Sequence, residues 1–274
     1  MTILNKDTTL CISLAGRPSN IGTRFHNYLY DELGLNFAYK AFTTHDLDGA
    51  IRGVRALGFR GCSVSMPFKE AVIPLADELN ASAKAIESVN TIVNDDGRLT
   101  AYNTDYEAVS ELIGRHALDP AAQVLVRGSG GMAKAVVAAF RDASFGDLTV
   151  LARNAAAGRA LADKYGYRWV QHDPQPAAEI IVNVTPLGMN GPEADALAFP
   201  LATIEAASAV FDVVAFPAET PLVRAARASG KPVITGAEVI ALQAARQFEL
   251  YTGVRISADQ VERASAFSRA SADS

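Results

Sequence analysis

Cysteine is scarce in this 274-residue chain, with only Cys11 and Cys62. Two thiols cannot build a disulfide framework, and their separation is not that of metal ligands, so no stapled fold and no metal site is expected. Positive charge is also short. There are 25 Lys and Arg against 30 Asp and Glu, a net charge of −5, with no basic cluster. Without a surface to track phosphates, nucleic acid is not an expected partner. No run approaches the ~20 apolar residues that span a bilayer, so no membrane role is expected. The opening MTILNKDTTLCISLA has neither the basic start nor the apolar stretch of a secretory signal. Repeats, low-complexity tracts and Gly/Ser or Pro-rich linkers are missing too. What remains is 49% hydrophobic and 20% charged, the balance of a folded globular protein. A cytoplasmic enzyme is the expectation, as a monomer or a homodimer, with one large domain or two ordinary ones.

Two periodicities alternate along the chain. Leu10, Ile12 and Leu14 recur at every second residue, which predicts a strand within Thr9 to Ala15. Leu47, Ala50, Ile51, Val54 and Leu57 lie on one helical face, with Asp46 placed to cap that helix and Gly58 to stop it. Arg60 to Ser65 reads as a short buried strand ended by Pro67. Further apolar strands are expected at residues 124–126, 148–151, 180–182, 210–214 and 233–235, separated by helix-forming segments. A long helix follows over residues 237–252, then a tail helix that frays at its end. Strands alternating with helices of this length imply βαβ units and a largely parallel sheet. The fold class is therefore α/β, in two α/β domains.

Gly128-Ser129-Gly130-Gly131-Met132-Ala133 satisfies the pattern G-x-G-x-x-G/A between a strand and a helix. In that setting the first glycine permits a tight turn and the second lets backbone approach a pyrophosphate. The small Ala133 allows close helix packing, and the helix N-terminus faces the phosphates. At the end of the next strand an NAD site wants an acidic residue for the ribose diol. Here the chain has Ala152-Arg153-Asn154, and a guanidinium suits a 2′-phosphate, which favours NADP. Asn183 and Thr185 end a later strand of the same unit, where ligands collect. Gly236, ahead of the last long helix, completes the cofactor candidates.

Three polar segments interrupt the first half: Ser63-Val-Ser65-Met-Pro67-Phe-Lys69-Glu70, Ser88-Val-Asn90-Thr91 and Asn103-Thr104-Asp105. A lysine beside a carboxylate is a tunable acid and base, suited to a proton transfer that accompanies hydride transfer. Spacing alone does not establish that Lys69 and Asp105 meet.

Together with Asn183-Val-Thr185-Pro-Leu-Gly188-Met189 and Gln243-Ala-Ala, these motifs stand in the order found in the shikimate dehydrogenase family, which the chain resembles from about Leu14 to Gly253. The resemblance implies reversible NADP-dependent reduction of 3-dehydroshikimate to shikimate. It implies a substrate-binding domain over residues 1–106, completed by the C-terminal helices of residues 237–274. Residues 107–236 would form an NADP-binding Rossmann domain, with a cleft between the two. Lys69 and Asp105 match the family's catalytic pair. Ser65, Asn90, Asp105 and Gln243 match residues that bind ring hydroxyls, and Met189 would sit beside the nicotinamide.

The chain departs from the family where the substrate carboxylate is held. The usual pair of serines is replaced in a shortened segment, Gly16-Arg-Pro18-Ser19-Asn20-Ile-Gly22-Thr23-Arg24-Phe-His26-Asn27. Ser19, Asn20, Thr23 or Arg17 are the candidates to bind an anion instead. Ala215 falls where a tyrosine is common, and Ser63 where asparagine is usual. Losing one charge-assisted hydrogen bond costs ~1.5–3 kcal/mol, roughly ten- to a hundredfold in affinity. This pattern resembles the divergent, dehydrogenase-like branch of the family, so weakened activity on shikimate is expected. Quinate or another small hydroxy acid, or an NADP-binding regulator that turns nothing over, are the alternatives. His26, in an apolar helix, reads as structural; His45, His116 and His172 show no mutual metal spacing.

Overall fold

The structure, a computed structural model, describes residues 4–171 and 177–270. His172 and the expected fraying of the last residues lie outside these. The first half comprises β1 (Thr9–Leu14), α1 (Asn20–Glu32), β2 (Phe37–Phe42), α2 (Leu47–Ala56), β3 (Gly61–Val64), β4 (Glu78–Leu79), α3 (Ala81–Ile86), β5 (Thr91–Asp95) and β6 (Arg98–Tyr102). Then come α4 (Thr104–Arg115), β7 (Val124–Arg127), α5 (Gly131–Asp142), β8 (Leu148–Leu151), α6 (Ala155–Tyr165), β9 (Arg168–Val170) and β10 (Ile180–Asn183). The chain closes with α7 (Leu201–Ala206), β11 (Ala209–Asp212), α8 (Pro221–Ala228), β12 (Val233–Thr235), α9 (Gly236–Thr252) and α10 (Ala258–Arg269). None of the described helices is long and apolar enough to cross a membrane.

Contacts divide the chain into two units. One is built from residues up to Thr104 and from Ala241 onward, the other from Asp105–Ile240. Both boundaries fall inside helices, α4 and α9.

The first unit carries a sheet in the order β2-β1-β3-β5-β6-β4. It is rich in parallel pairs, as the alternation of elements suggested, β4 also running parallel to β6, but it is mixed. β1 pairs in parallel with β2 and β3, whereas β5 runs antiparallel to β3 and β6. The cause is local. Asp96 and Gly97 both take positive φ, 50° and 91°, in a two-residue turn joining β5 to β6, the backbone that an Asp-Gly hairpin favours. One face of the sheet buries Ile12, Leu14, Ile51, Val54, Cys62, Val64 and Ile92. The other packs Cys11, Phe25, Leu29, Tyr39, Phe248 and Tyr251. Asp46 caps α2 by accepting a hydrogen bond from Gly49 N at 2.8 Å. Gly61 opens β3 because a Cβ there would lie 2.3 Å from the Tyr251 ring.

The second unit has six parallel strands in the order β12-β11-β10-β7-β8-β9. Numbered within the unit this is the 3-2-1-4-5-6 order of dinucleotide-binding sheets, in which the strand sequence reverses beside the first strand. β8, β10 and β11 are buried throughout, as strands covered on both faces must be.

His26 is fully buried in α1, stacked on Tyr39 with ring centroids 4.5 Å apart and planes at 11°. Neither ring nitrogen makes a well-formed hydrogen bond; burial outweighs the nearby Gln247 side chain, which favours the charged ring, and pushes the pKa down to about 3. The folded ring therefore refuses a proton that the unfolded chain takes up below about pH 6.5. Stability contributed by the neutral ring is complete above that pH and declines as pH falls towards about 3, by about 1.4 kcal/mol per unit. Urea unfolding of the parent should lose about 2 kcal/mol more than that of His26→Phe between about pH 6.5 and about pH 5. Identical slopes in the two proteins would clear His26 of this role.

Candidate active site

In the first unit, three backbone segments converge at the carboxyl ends of β1 and β3. Ser65 N donates to Leu14 O at 2.9 Å, Gly16 N to Met66 O at 2.9 Å, Val64 N to Asn90 O at 2.7 Å and Val89 N to Lys69 O at 2.9 Å. The last two bonds clamp the Lys69 loop beside Asn90. Lys69 is half-buried and Ser65 exposed. Asn90 is 3% exposed, so its amide must find partners within the protein. Its Oδ1 accepts from Thr91 Oγ1 and Thr104 N, both at 2.8 Å, and the Thr104 hydroxyl lies 3.1 Å away. Thr104 Oγ1 also reaches Gln243 Oε1, on α9, at 3.3 Å. Asp105 follows Thr104 in the chain, in the first turn of α4 and buried. Asn90, Thr104 and Gln243 are thus one hydrogen-bonded cluster, with the Lys69 backbone tied to its edge.

The N-terminal loop is different. Ser19 occupies the cap position of α1, but its hydroxyl makes no capping bond. Ser19, Asn20 and Arg17 are exposed, and the Thr23 hydroxyl is buried with no partner. Among the described residues no side-chain hydrogen bond joins Ser19, Asn20 or Thr23 to the Asn90 cluster. Asn27 is spent on the fold, donating to Thr23 O and Tyr39 O at 2.8 Å each and accepting from Tyr39 N at 2.9 Å.

In the second unit, the loops after β7 and β10 meet at Gly128. Its φ is +129°, and a Cβ there would lie 2.7 Å from Val184 Cγ2 and 3.1 Å from Val184 O. Packing therefore demands glycine at this position. At Gly130 and Gly131 it does not, since a Cβ would meet nothing within 4 Å. The space over the start of α5 is open, with no acidic residue in its first turn. These are the features a pyrophosphate would use, and Ala133, fully buried, lets α5 pack closely on the sheet. Ser129 and Met132 are half-buried beside it. Gly236 is required by packing alone, because a Cβ would lie 2.4 Å from the Val214 carbonyl.

Around the next strands, Asn154 already has a structural task. Its side chain caps α6 by accepting from Ala157 N at 3.1 Å. Arg153 is exposed just past β8, while Arg159 stacks over Trp169 at 4.7 Å. Thr185 donates its hydroxyl to Asn183 Oδ1 at 2.6 Å and accepts from Leu187 N at 3.3 Å. Met189 is 45% exposed.

Beneath these loops lies Asp212, a fully buried carboxylate at the end of β11. It accepts from Thr220 Oγ1 at 2.6 Å, Asn183 Nδ2 at 3.0 Å and Val214 N at 3.1 Å. Burial raises its pKa, against the pull of those three donors. The only mark of this anchor in the sequence is an aspartate closing an apolar strand.

A family model of the shikimate dehydrogenase substrate binding domain matches residues 20–92. Over 268 residues the chain is 59% identical to a shikimate dehydrogenase-like protein of Haemophilus influenzae, covering 97% of this chain and 99% of the relative. It is 36% identical to the shikimate dehydrogenase (NADP(+)) of Chlorobaculum tepidum, covering 87% and 88% of the two chains. The chain belongs to the shikimate dehydrogenase family. Among solved structures, a shikimate 5-dehydrogenase-like protein superimposes with a TM-score of 0.95 at 59% identity, over 97% of this chain and 100% of that one. Shikimate 5-dehydrogenase of Thermus thermophilus, in complex with NADP(H) and shikimate, gives 0.85 at 30% identity, over 95% and 99%. Quinate dehydrogenase of Corynebacterium glutamicum, in complex with NAD, gives 0.84 at 27%, over 94% and 98%. The family is one of oxidoreductases.

Removing the Asp212 carboxylate strands three donors, one a backbone N–H. Asp212→Ala should lower the unfolding free energy by about 2–4 kcal/mol in a urea titration. A loss below about 0.5 kcal/mol, the range of surface substitutions, would show that Asp212 does not anchor these loops.

Proposed function

We propose that the protein is a cytoplasmic NADP-dependent oxidoreductase that interconverts 3-dehydroshikimate and shikimate, with activity weakened by its altered carboxylate loop. Residues 1–106 and 237–274 would bind the acid, and residues 107–236 the cofactor. The observation that carries the reading is the Asn90 cluster. A buried amide is held by Thr91 and Thr104, the Lys69 loop is paired beside it, and Asp105 is next in the chain.

Bound NADPH supplies the hydride that reduces the substrate carbonyl carbon. Lys69, as the ammonium, donates a proton to the oxygen as negative charge develops there, and regains one from solvent. In the reverse direction the neutral amine accepts the hydroxyl proton. Asp105 would accept a hydrogen bond from that hydroxyl and hold it in place. Asn90 and Gln243, with Ser65, hold the ring hydroxyls. Gly128 to Ala133 would take the pyrophosphate and Arg153 the 2′-phosphate, with Thr185, Met189 and Gly236 bordering the nicotinamide end. Asn154, whose side chain caps α6, would lie beside Arg153 at the ribose end. Ser19, Asn20 and Thr23 remain the groups proposed for the carboxylate. A binder without chemistry needs neither Lys69 nor Asp105, which disfavours a purely regulatory role. Quinate as substrate is the second reading, supported by the likeness to a quinate dehydrogenase.

NADPH formation followed by absorbance with shikimate, quinate and a buffer blank should show turnover with one of the acids. Lys69→Ala should reduce kcat by about 10²–10⁴; a value within about threefold of the parent would remove Lys69 from catalysis. Bound NADP with no turnover on either acid would move the protein to another substrate or out of catalysis.

The cofactor assignment is separable. Arg153→Asp should weaken NADP by about ten- to a hundredfold in a fluorescence titration, from the loss of a charge-assisted contact, and leave NAD nearly unchanged. Equal losses for both nucleotides would contradict the 2′-phosphate role.

A further inference from the structure

Behind Asn90 the hydrogen bonds of the first unit run in one direction. Ser63 Oγ donates to Gln247 Oε1 at 3.0 Å. A hydroxyl has one proton, so its other contacts must donate to it: the Tyr39 hydroxyl at 2.8 Å and the Tyr251 hydroxyl at 3.0 Å. With Oε1 thus engaged as acceptor, Gln247 turns its amide N–H groups to the far side. Nε2 donates to Thr91 Oγ1 at 2.9 Å and Asn90 O at 3.4 Å. Thr91 Oγ1, now an acceptor on that side, sends its own proton to Asn90 Oδ1 at 2.8 Å. Thr104 N supplies a second donor to the same oxygen. The Thr104 hydroxyl lies 3.1 Å from that oxygen and 3.3 Å from Gln243 Oε1; with Asn90 already served by Thr91 and by Thr104 N, its one proton goes to Gln243. Both amides then have their oxygens engaged within the protein, which leaves their NH₂ groups available to donate.

We infer that Gln247 and Ser63 are positioning residues, whose one-way relay from Tyr39 and Tyr251 presets Asn90 and Gln243 as hydrogen-bond donors toward substrate oxygens. This rests on the reading that these two amides meet the acid substrate. Gln247 is 4% exposed and reaches the site only through Thr91 and the Asn90 backbone. Ser63 stands where the family usually has asparagine, and its single hydroxyl is consumed by three protein partners. The position that differs from the family has thus become part of the wiring behind the site.

Gln247→Glu keeps shape and the acceptor oxygen but replaces the NH₂ by a second acceptor. Thr91 then turns its proton to the carboxylate, and Asn90 loses a donor. Gln247→Met keeps volume and leaves Thr91 free to donate. The relay predicts that Gln247→Glu raises KM for the acid about tenfold, with kcat within about threefold and KM for NADP within about twofold. Gln247→Met should change KM for the acid no more than about threefold. Equal KM changes in the two variants, scaling with their loss of thermal stability, would reduce Gln247 to a packing residue and overturn the inference. Should Gln247→Glu fail to fold, Ser63→Ala removes the same directing proton and should shift KM the same way. The side-chain NH₂ resonances of Asn90, read by NMR without substrate, separate this inference from the functional reading. They should shift or split in Gln247→Glu; if they do not move, the relay is wrong whatever the enzyme turns over. If they move while the parent turns over neither shikimate nor quinate, the relay stands and the functional reading falls.

Discussion

A buried amide oxygen must be paired, and in the first unit this requirement organises everything around Asn90. Its oxygen collects donors from the residue after it and from the backbone of Thr104, with the Thr104 hydroxyl 3.1 Å away. To satisfy it, the chain must bring the end of β6 back against the start of β5, which the antiparallel pair and its Asp96-Gly97 turn accomplish. The same pairing leaves Asp105 as the first carboxylate past the cluster and draws Gln243 of α9 onto Thr104. A mixed sheet is the consequence. An all-parallel sheet could not return the chain to Asn90 within so few residues, since a parallel crossover needs a dozen or more.

The second unit meets the corresponding requirement with a carboxylate. Asp212 is buried with three donors, and through Asn183 and Thr220 it ties together the loops that follow β10 and β11. The loop after β7 joins them by close approach at Gly128. Charge at Asp212 costs desolvation, as its raised pKa records; the hydrogen bonds offset part of that cost. What results is a hydrogen-bonded rim beside open space at Gly130 and Gly131. The glycines there are free of any packing demand, in contrast to Gly128 and Gly236, where a side chain would strike backbone or a neighbour at under 3 Å.

Much of this was legible in the residue order. The strands β7, β8, β10, β11 and β12 and the helix after the glycine loop were visible because each is an apolar run bounded by turn residues. Asp46 and Gly58 marked their helix for local reasons, a side-chain cap and a left-handed stop. The family could be read as well, because its motifs are contiguous and occur in order. Less visible were β2, β5 and β6: β5 carries Thr91 and Asn94, polar residues that prove to be buried, while β2 and β6 are short and carry the exposed Lys40 and Arg98. Asp96-Gly97 was the hairpin signal that went unread.

By itself, then, the sequence determined the α/β class, the parallel second sheet, the glycine turn and the chemical types available to the site, since these follow from local periodicity and residue chemistry. Only the tertiary structure decided that the first sheet is mixed, that Asn154 is spent on a helix cap, and that Asp212 anchors two loops. It alone joined Gln247, more than 150 residues from Thr91 along the chain, to the hydrogen bonds behind Asn90. The physical reason is that a hydrogen bond's direction depends on the partners at both ends, and those partners are brought together by folding and not by sequence proximity.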